Sequence, residues 1–118
     1  MPKILIVDDA EFLRLRISKI LSADRYEVLE AANGADAIET YKTCAPDVVL
    51  MDVTMPEMDG LTALKHIRAF DPEAKVVMLT ALGQESIVLE AVRSGARDFI
   101  IKPFERERVL TAIQKILL

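Results

Sequence analysis

One cysteine, one histidine and no tryptophan occur among the 118 residues. With Cys44 alone, an intramolecular disulfide is excluded, and no paired cysteines or histidines accompany it to form a zinc or redox site, so it reads as a helix-packing residue. His66 falls within a helical segment away from the strand ends, which leaves it outside any phosphate-carrying role. Long hydrophobic runs are missing as well. Met1-Pro2-Lys3 leads directly into Ile4-Leu5-Ile6-Val7 and then two aspartates, too short and wrongly flanked for a signal peptide or a membrane span. No membrane insertion and a cytoplasmic location are the expectation. Basic charge is scarce: Lys and Arg number 15 against 19 Asp and Glu, for a net charge of -4. That leaves no general field to hold nucleic acid directly. The balance is uneven, since residues from Arg93 onward include six basic and three acidic side chains. A partner with an acidic surface fits that last third, and so does a solvated helix face of mixed charge.

What is present suffices for one domain spanning 1–118, because 52% of the residues are hydrophobic and a real core can form without staples. Four short apolar runs read as buried strands: Ile4 to Val7, Val48 to Met51, Val76 to Leu79 and Phe99 to Ile101. Tyr26 to Ala31 is interrupted by charges, as suits an edge strand. Between these runs, apolar residues recur at helical spacing. Leu13, Ile17, Ile20 and Leu21 make the first stripe, Ala37, Ile38 and Tyr41 the second, and Leu61, Leu64 and Ile67 the third. Val88, Ala91 and Val92 make the fourth, and Val109, Ile113, Ile116 and Leu117 the fifth. Asn33 is placed to cap the second helix and Gly95 to end the fourth, while Pro46, Pro56, Pro72 and Pro103 fall outside helix interiors. No repeat, low-complexity tract or linker appears. Strict alternation of strand and helix predicts an α/β fold, a five-stranded parallel sheet doubly wound by helices on both faces. The charged second strand belongs at an edge, which suggests the order 2-1-3-4-5, with ligands bound at the carboxyl ends of the strands.

Chemistry collects at those ends. Asp8-Asp9 follow the first strand, Asp52 the third, Thr80 the fourth and Lys102 the fifth. Singly, Asp9 reads as a helix cap, Thr80 as a cap or turn residue, and Lys102 as a solvated loop charge. Together they resist that reading, because three clustered carboxylates repel one another unless a cation compensates them. Oxygen donors of this kind suit Mg2+, with Mn2+ as a substitute. A metal and an ammonium around a carboxylate make a site for phosphoryl transfer onto that carboxylate. Asp52, on a central strand, is then the nucleophile.

These residues and their flanks resemble the response-regulator receiver family. The resemblance rests on Ile6-Val7-Asp8-Asp9, Met51-Asp52-Val53-Thr54-Met55-Pro56-Glu57-Met58-Asp59-Gly60, Leu79-Thr80-Ala81 and Asp98-Phe99-Ile100-Ile101-Lys102-Pro103-Phe104, and covers the whole chain. The fold order 2-1-3-4-5, flavodoxin-like, rests partly on it. The resemblance implies that Asp9 and Asp52 bind the metal directly, Asp8 through water and Thr54 through its main-chain carbonyl. Lys102 would contact the phosphoryl group, Thr80 would be the switch hydroxyl, Ala81 would leave room for the phosphate, and Lys102-Pro103 would be a cis peptide. Phosphorylation would draw in Thr80 and Lys102 and let Phe99 turn inward, changing the surface of the fourth helix, fifth strand and fifth helix.

Phe99 stands where chemotaxis members typically carry tyrosine, so a signal needing a phenolic hydroxyl is not available; an ordinary core phenylalanine is the alternative reading. Thr54 and Leu82 occupy the positions that tune loss of the phosphoryl group. Neither offers an amide or carboxylate to orient water, which predicts slow self-dephosphorylation. The implied role is that of a two-component phosphoprotein and not an enzyme in its own right, beyond self-catalysed phosphoryl acceptance and loss. Its partners would be a sensor histidine kinase and a downstream protein such as a flagellar motor switch component or a phosphatase. The stretch Met55 to Gly60 and the Met1-Pro2-Lys3 start look most like stand-alone chemotaxis regulators, acting as a monomer. With no linker or effector after Leu118, output is expected through binding another protein. A phosphorelay intermediate and a receiver cut from a larger regulator are the alternatives. A magnesium-dependent phosphohydrolase is a remote one, because Thr54 stands where such enzymes place a general acid. A flavodoxin-like cofactor binder is disfavoured, since Asp8-Asp9 would repel a phosphate.

Overall fold

The computed structural model describes residues 1–55 and 58–118; Pro56 and Glu57, part of the motif that follows Asp52, lie outside the described residues. Strands and helices alternate as β1 (Lys3–Val7), α1 (Glu11–Ala23), β2 (Glu27–Ala31), α2 (Gly34–Cys44), β3 (Val48–Asp52), α3 (Gly60–Phe70), β4 (Val76–Thr80), α4 (Glu85–Arg93), β5 (Asp98–Ile101) and α5 (Arg106–Leu117). All strand pairs are parallel, in the order β2-β1-β3-β4-β5. Two strand ends differ slightly from the sequence reading, since Asp52 and Thr80 are the last residues of β3 and β4 and do not follow them. Their main chains stay in register with the neighbouring strand, Asp52 beside Leu79 and Thr80 beside Ile101.

Successive side chains of a strand point to opposite faces, and here that alternation feeds two separate cores. Leu5, Val7, Val49, Met51, Val76 and Met78 pack with Ala37 and Tyr41 of α2, Ala63, Leu64 and Ile67 of α3, and Ala91 of α4. Ile4, Ile6, Val48, Leu50, Val77, Leu79 and Ile100 pack with Ile17 and Leu21 of α1 and Val109, Ala112 and Ile113 of α5. β3 and β4 are buried throughout, which explains their continuous apolar runs, whereas β2 is wet along most of its length. α4 is anchored lightly: Ala91 is the residue it buries, and Leu89 and Val92 are about half exposed.

Helix ends follow the sequence signals. The Asn33 side chain accepts from the Asp36 N–H at 2.8 Å, and Asp59 accepts from the Thr62 N–H at 2.8 Å. After α4, Gly95 takes a φ of +105°, its N–H donating to the Val92 carbonyl and that of Ala96 to the Ala91 carbonyl. This paired closure is the one that glycine favours at a helix end.

The sheet's winding places the site. From β1 the chain crosses to β2 on one side, and from β3 to β4 on the other, so a crevice opens beyond the carboxyl ends of β1 and β3. Main-chain bonds fix its walls, with Asp8 N–H donating to Ala31 O at 3.2 Å, Val53 N–H to Leu79 O at 3.0 Å, and Lys102 N–H to Thr80 O at 2.7 Å.

Candidate functional site

Asp8, Asp9, Asp52 and Lys102 meet in that crevice. Each of the three aspartates brings a carboxylate oxygen within 4.8 Å of the others'. Asp8 and Asp52 are buried, at 1% and 7% exposure, while Asp9 is open to solvent. The Lys102 ammonium bridges the buried pair, 3.1 Å from Asp8 Oδ2 and 3.0 Å from Asp52 Oδ1. Asp8 Oδ1 accepts from the Ala10 N–H at 2.9 Å, which turns its other oxygen toward the lysine. Asp9 does not cap α1: the residue at the start of that helix is Ala10, and among the described residues no side-chain cap closes that end.

Electrostatics agree with the geometry. Burial pushes the Asp52 carboxyl above its ordinary value; the hydrogen bond from Lys102 opposes this, and the charges of Asp8 and Asp9 add to it. For Lys102, burial alone would lower the ammonium's pKa, yet the hydrogen bonds and charges of Asp52 and Asp8 outweigh it and the net direction is up. The lysine is therefore held charged, between two carboxylates. One ammonium against three carboxylates leaves an excess of negative charge. Hard oxygen donors clustered this closely, one of them solvent-facing, form a group that could hold a divalent cation.

The remaining predicted residues line the rim. Thr80, 2% exposed, closes the floor beside β5. Ala81 and Thr54 are exposed at the mouth, and Leu82 is 76% exposed. Phe99 lies at the surface of edge strand β5, 37% exposed, in a cleft of about 350 Å³ that it shares with Thr80, Ala81, Leu82, Leu89 and Ile101. The Lys102–Pro103 peptide is cis. His66 is exposed on α3, and Cys44, at the end of α2, is a free thiol of intermediate burial.

One residue at the rim escaped the sequence reading. Gln84 accepts from the Thr80 hydroxyl at 2.9 Å and from the Ala81 N–H at 2.7 Å, and donates to the Thr54 hydroxyl at 2.9 Å. Its one sequence signal is position. A long amide stands at the start of α4, where a short Ser, Asp or Asn is preferred, and it leaves that helix end uncapped.

Comparison with known proteins points the same way. The response regulator receiver domain family matches residues 4–114. The chemotaxis protein CheY of Bacillus subtilis is 55% identical over 98% of this chain and 97% of its own length. CheY of Thermotoga maritima is 49% identical over 97% and 96%. Among solved structures, the CheX-CheY-BeF3-Mg2+ complex of Borrelia burgdorferi superposes with a TM-score of 0.94 at 37% identity, covering 99% of this chain and 90% of that one. The family match runs nearly the length of the sequence and the full-length relatives are about half identical to it, so the chain that carries these acidic strand ends and their bridging lysine belongs to the response regulator receiver domains, close to the CheY chemotaxis regulators.

Proposed function

We propose that this domain takes a phosphoryl group from a sensor histidine kinase onto Asp52, in the presence of Mg2+, and passes the signal to a protein partner in chemotaxis. The observation that carries this reading is the Lys102 ammonium seated between Asp8 and Asp52 at 3.1 and 3.0 Å, with Asp9 completing a carboxylate group at the crevice. Asp8, Asp9, Asp52 and the Thr54 main-chain carbonyl would hold the metal. When bound, Mg2+ supplies positive charge that offsets the phosphoryl oxygens and the excess of carboxylates.

The chain's own groups account for the rest. An Asp52 carboxylate oxygen attacks phosphorus as the bond to the donor nitrogen breaks, so an acyl phosphate forms and the leaving group departs with the electron pair. Lys102 stays charged throughout and exchanges its Asp52 contact for a phosphoryl oxygen. Thr80, at the adjoining strand end, donates its hydroxyl hydrogen to another. Displacement of Thr80 frees space into which Phe99 can turn from its surface cleft, and the face formed by α4, β5 and α5 changes with it. That face is where a downstream protein such as a flagellar switch component or a phosphatase would bind. The domain acts in the cytoplasm as a monomer, with self-dephosphorylation slow enough to leave removal of the group to the partner. Beyond accepting and losing its own phosphoryl group it has no substrate.

Incubation with Mg2+ and acetyl phosphate, followed by intact mass measurement, tests the reading. One phosphoryl group should be gained by the parent and none by Asp52→Asn or in EDTA. An adduct of equal yield on Asp52→Asn would move the acceptor elsewhere and overturn the assignment.

A further inference from the structure

Gln84 is spent on the rim of the site and not on its own helix. Its orientation is determined by chemistry: the Ala81 N–H can only donate, so the Gln84 atom 2.7 Å away is the amide oxygen, and the amide nitrogen faces Thr54. Thr80, 2.9 Å from that same oxygen, must then be the donor. A threonine hydroxyl has one hydrogen. While it is given to Gln84 it cannot be given to anything at Asp52. The same amide spans from the loop after β4 to Thr54 in the loop after β3, so it ties together the two segments that flank the acidic crevice.

We propose that Gln84 is a latch that holds the Thr80 hydroxyl in the resting arrangement, and that acceptance of a phosphoryl group must break the Thr80–Gln84 bond. This rests on the reading of Asp52 as the acceptor. Two bonds that compete for one hydrogen make a two-state element, biased by whichever acceptor is stronger. A phosphoryl oxygen is charged and the amide oxygen is neutral, so the phosphorylated state wins the hydrogen, at the expense of the resting bond. Gln84 is accordingly a positioning residue: its side-chain bonds go to Thr80, Ala81 and the Thr54 hydroxyl and not to the three carboxylates, and it acts through Thr80.

Replacing Gln84 by leucine removes the nearer acceptor, at 2.9 Å, and leaves only the longer 3.3 Å contact to the Ala81 carbonyl, with an apolar side chain one heavy atom shorter. The probe is beryllofluoride with Mg2+, titrated against the parent, Gln84→Leu, Thr80→Ala and the double variant. Loss of one net hydrogen bond from the resting state corresponds to roughly threefold to tenfold tighter binding in Gln84→Leu. In the Thr80→Ala background the same change should gain less than about twofold, since the shared hydrogen is gone. A structural role alone would not produce that dependence on Thr80. A spectroscopic readout is the Thr80 methyl resonance, which in ligand-free Gln84→Leu should move toward its beryllofluoride-bound position in the parent. Equal tightening with and without the Thr80 hydroxyl, or unchanged affinity with an unmoved methyl, overturns the latch while leaving the acceptor reading intact. No Mg2+-dependent binding by the parent, together with no acetyl phosphate adduct, overturns both.

Discussion

Gly60 sets how closely α3 approaches the end of β3, and Gly60→Ala tests whether that approach shapes the site. A methyl carbon built on Gly60 would lie 2.0 Å from the Asp52 carbonyl oxygen, 2.9 Å from its carbonyl carbon and 3.0 Å from Val53 Cα. Relaxed contact needs about 3.5 Å, so helix and strand must part by about 1.5 Å or the strand end must twist. Both movements are resisted, because the Gly60 N–H donates to the Val53 carbonyl at 2.8 Å and Asp59 caps the helix at 2.8 Å. Helix propensity pulls the other way, favouring alanine by up to about 1 kcal/mol. Overpacking costs about 1–3 kcal/mol, and the upper end applies here because main chain cannot swing aside as a side chain does. The net expectation is a loss of about 2 kcal/mol. At about 2.1 cal/mol/K of unfolding entropy per residue, a 118-residue chain then loses about 8 °C in Tm. Thermal and urea unfolding measure it, and labelling by acetyl phosphate should slow in parallel as Asp52 is displaced from Lys102. Gly83→Ala is the contrast: a Cβ there meets nothing within 4 Å, and the cost is the strain of its φ of +90° alone, about 1–2 kcal/mol with labelling unchanged. A Gly60→Ala protein within about 0.5 kcal/mol of the parent would refute the close-approach argument.

Metal linkage gives a second expectation. Mg2+ at about a hundred times its dissociation constant should stabilise the parent by about 2.7 kcal/mol, and EDTA should reverse this. Asp9→Asn should lose most of the gain yet be no less stable without metal, since one of three carboxylates with oxygens within 4.8 Å is gone; an undiminished Mg2+ shift would exclude Asp9 as a ligand. Thr54→Asn places an amide beside Asp52 and should shed the phosphoryl group faster than the parent, followed by intact mass after acetyl phosphate is removed; an equal or slower rate counts against the role given to this position. Tyr41→Phe removes a 2.6 Å hydrogen bond to Asp71 and should cost about 1 kcal/mol at neutral pH. The Tyr41 hydroxyl, and then the Glu73 N–H, hold the Asp71 carboxyl below its ordinary value. Their contribution is therefore present above an unfolded pKa of about 3.9 and lost as pH falls through the lower folded one, so the gap between parent and variant should close in acid; a gap that widens there has the wrong sign.

Much of this was legible because the strands are buried on both faces. Ile4 to Val7 and Val76 to Leu79 leave no reading but core, and a chain leaving each such strand must place its next polar residue at one edge of the sheet. That logic brought Asp8, Asp9, Asp52 and Lys102 to one place across most of the sequence. It could not distinguish Asp8, sealed and paired with lysine, from Asp9, open to water, because neighbours on a loop diverge by torsion angles that no periodicity encodes. Gln84 was invisible for a related reason: its partners Thr80, at the end of β4, and Ala81 and Thr54, in the loops after β4 and β3, are brought within a side chain's reach only by the adjacent ends of those two strands. The close approach at Gly60 was likewise hidden, since the motif marks a glycine without saying which carbonyl it must clear.

The light anchoring of α4 bears on how little energy a signal needs. Moving α1, α2, α3 or α5 would unpack Ile17 and Leu21, Tyr41, Leu64 and Ile67, or Val109 and Ile113, each change exposing large apolar side chains to water. α4 contributes one fully buried alanine to the interior, with Ile87 packed partly against it, while Val88, Leu89 and Val92 line the cleft beside Phe99. Its displacement leaves one core untouched and opens the other only at Ala91 and Ile87. The work of rearranging it is then of the same order as one hydrogen bond gained or lost, about 1 kcal/mol, and a covalent event at a single carboxylate is large enough to command it.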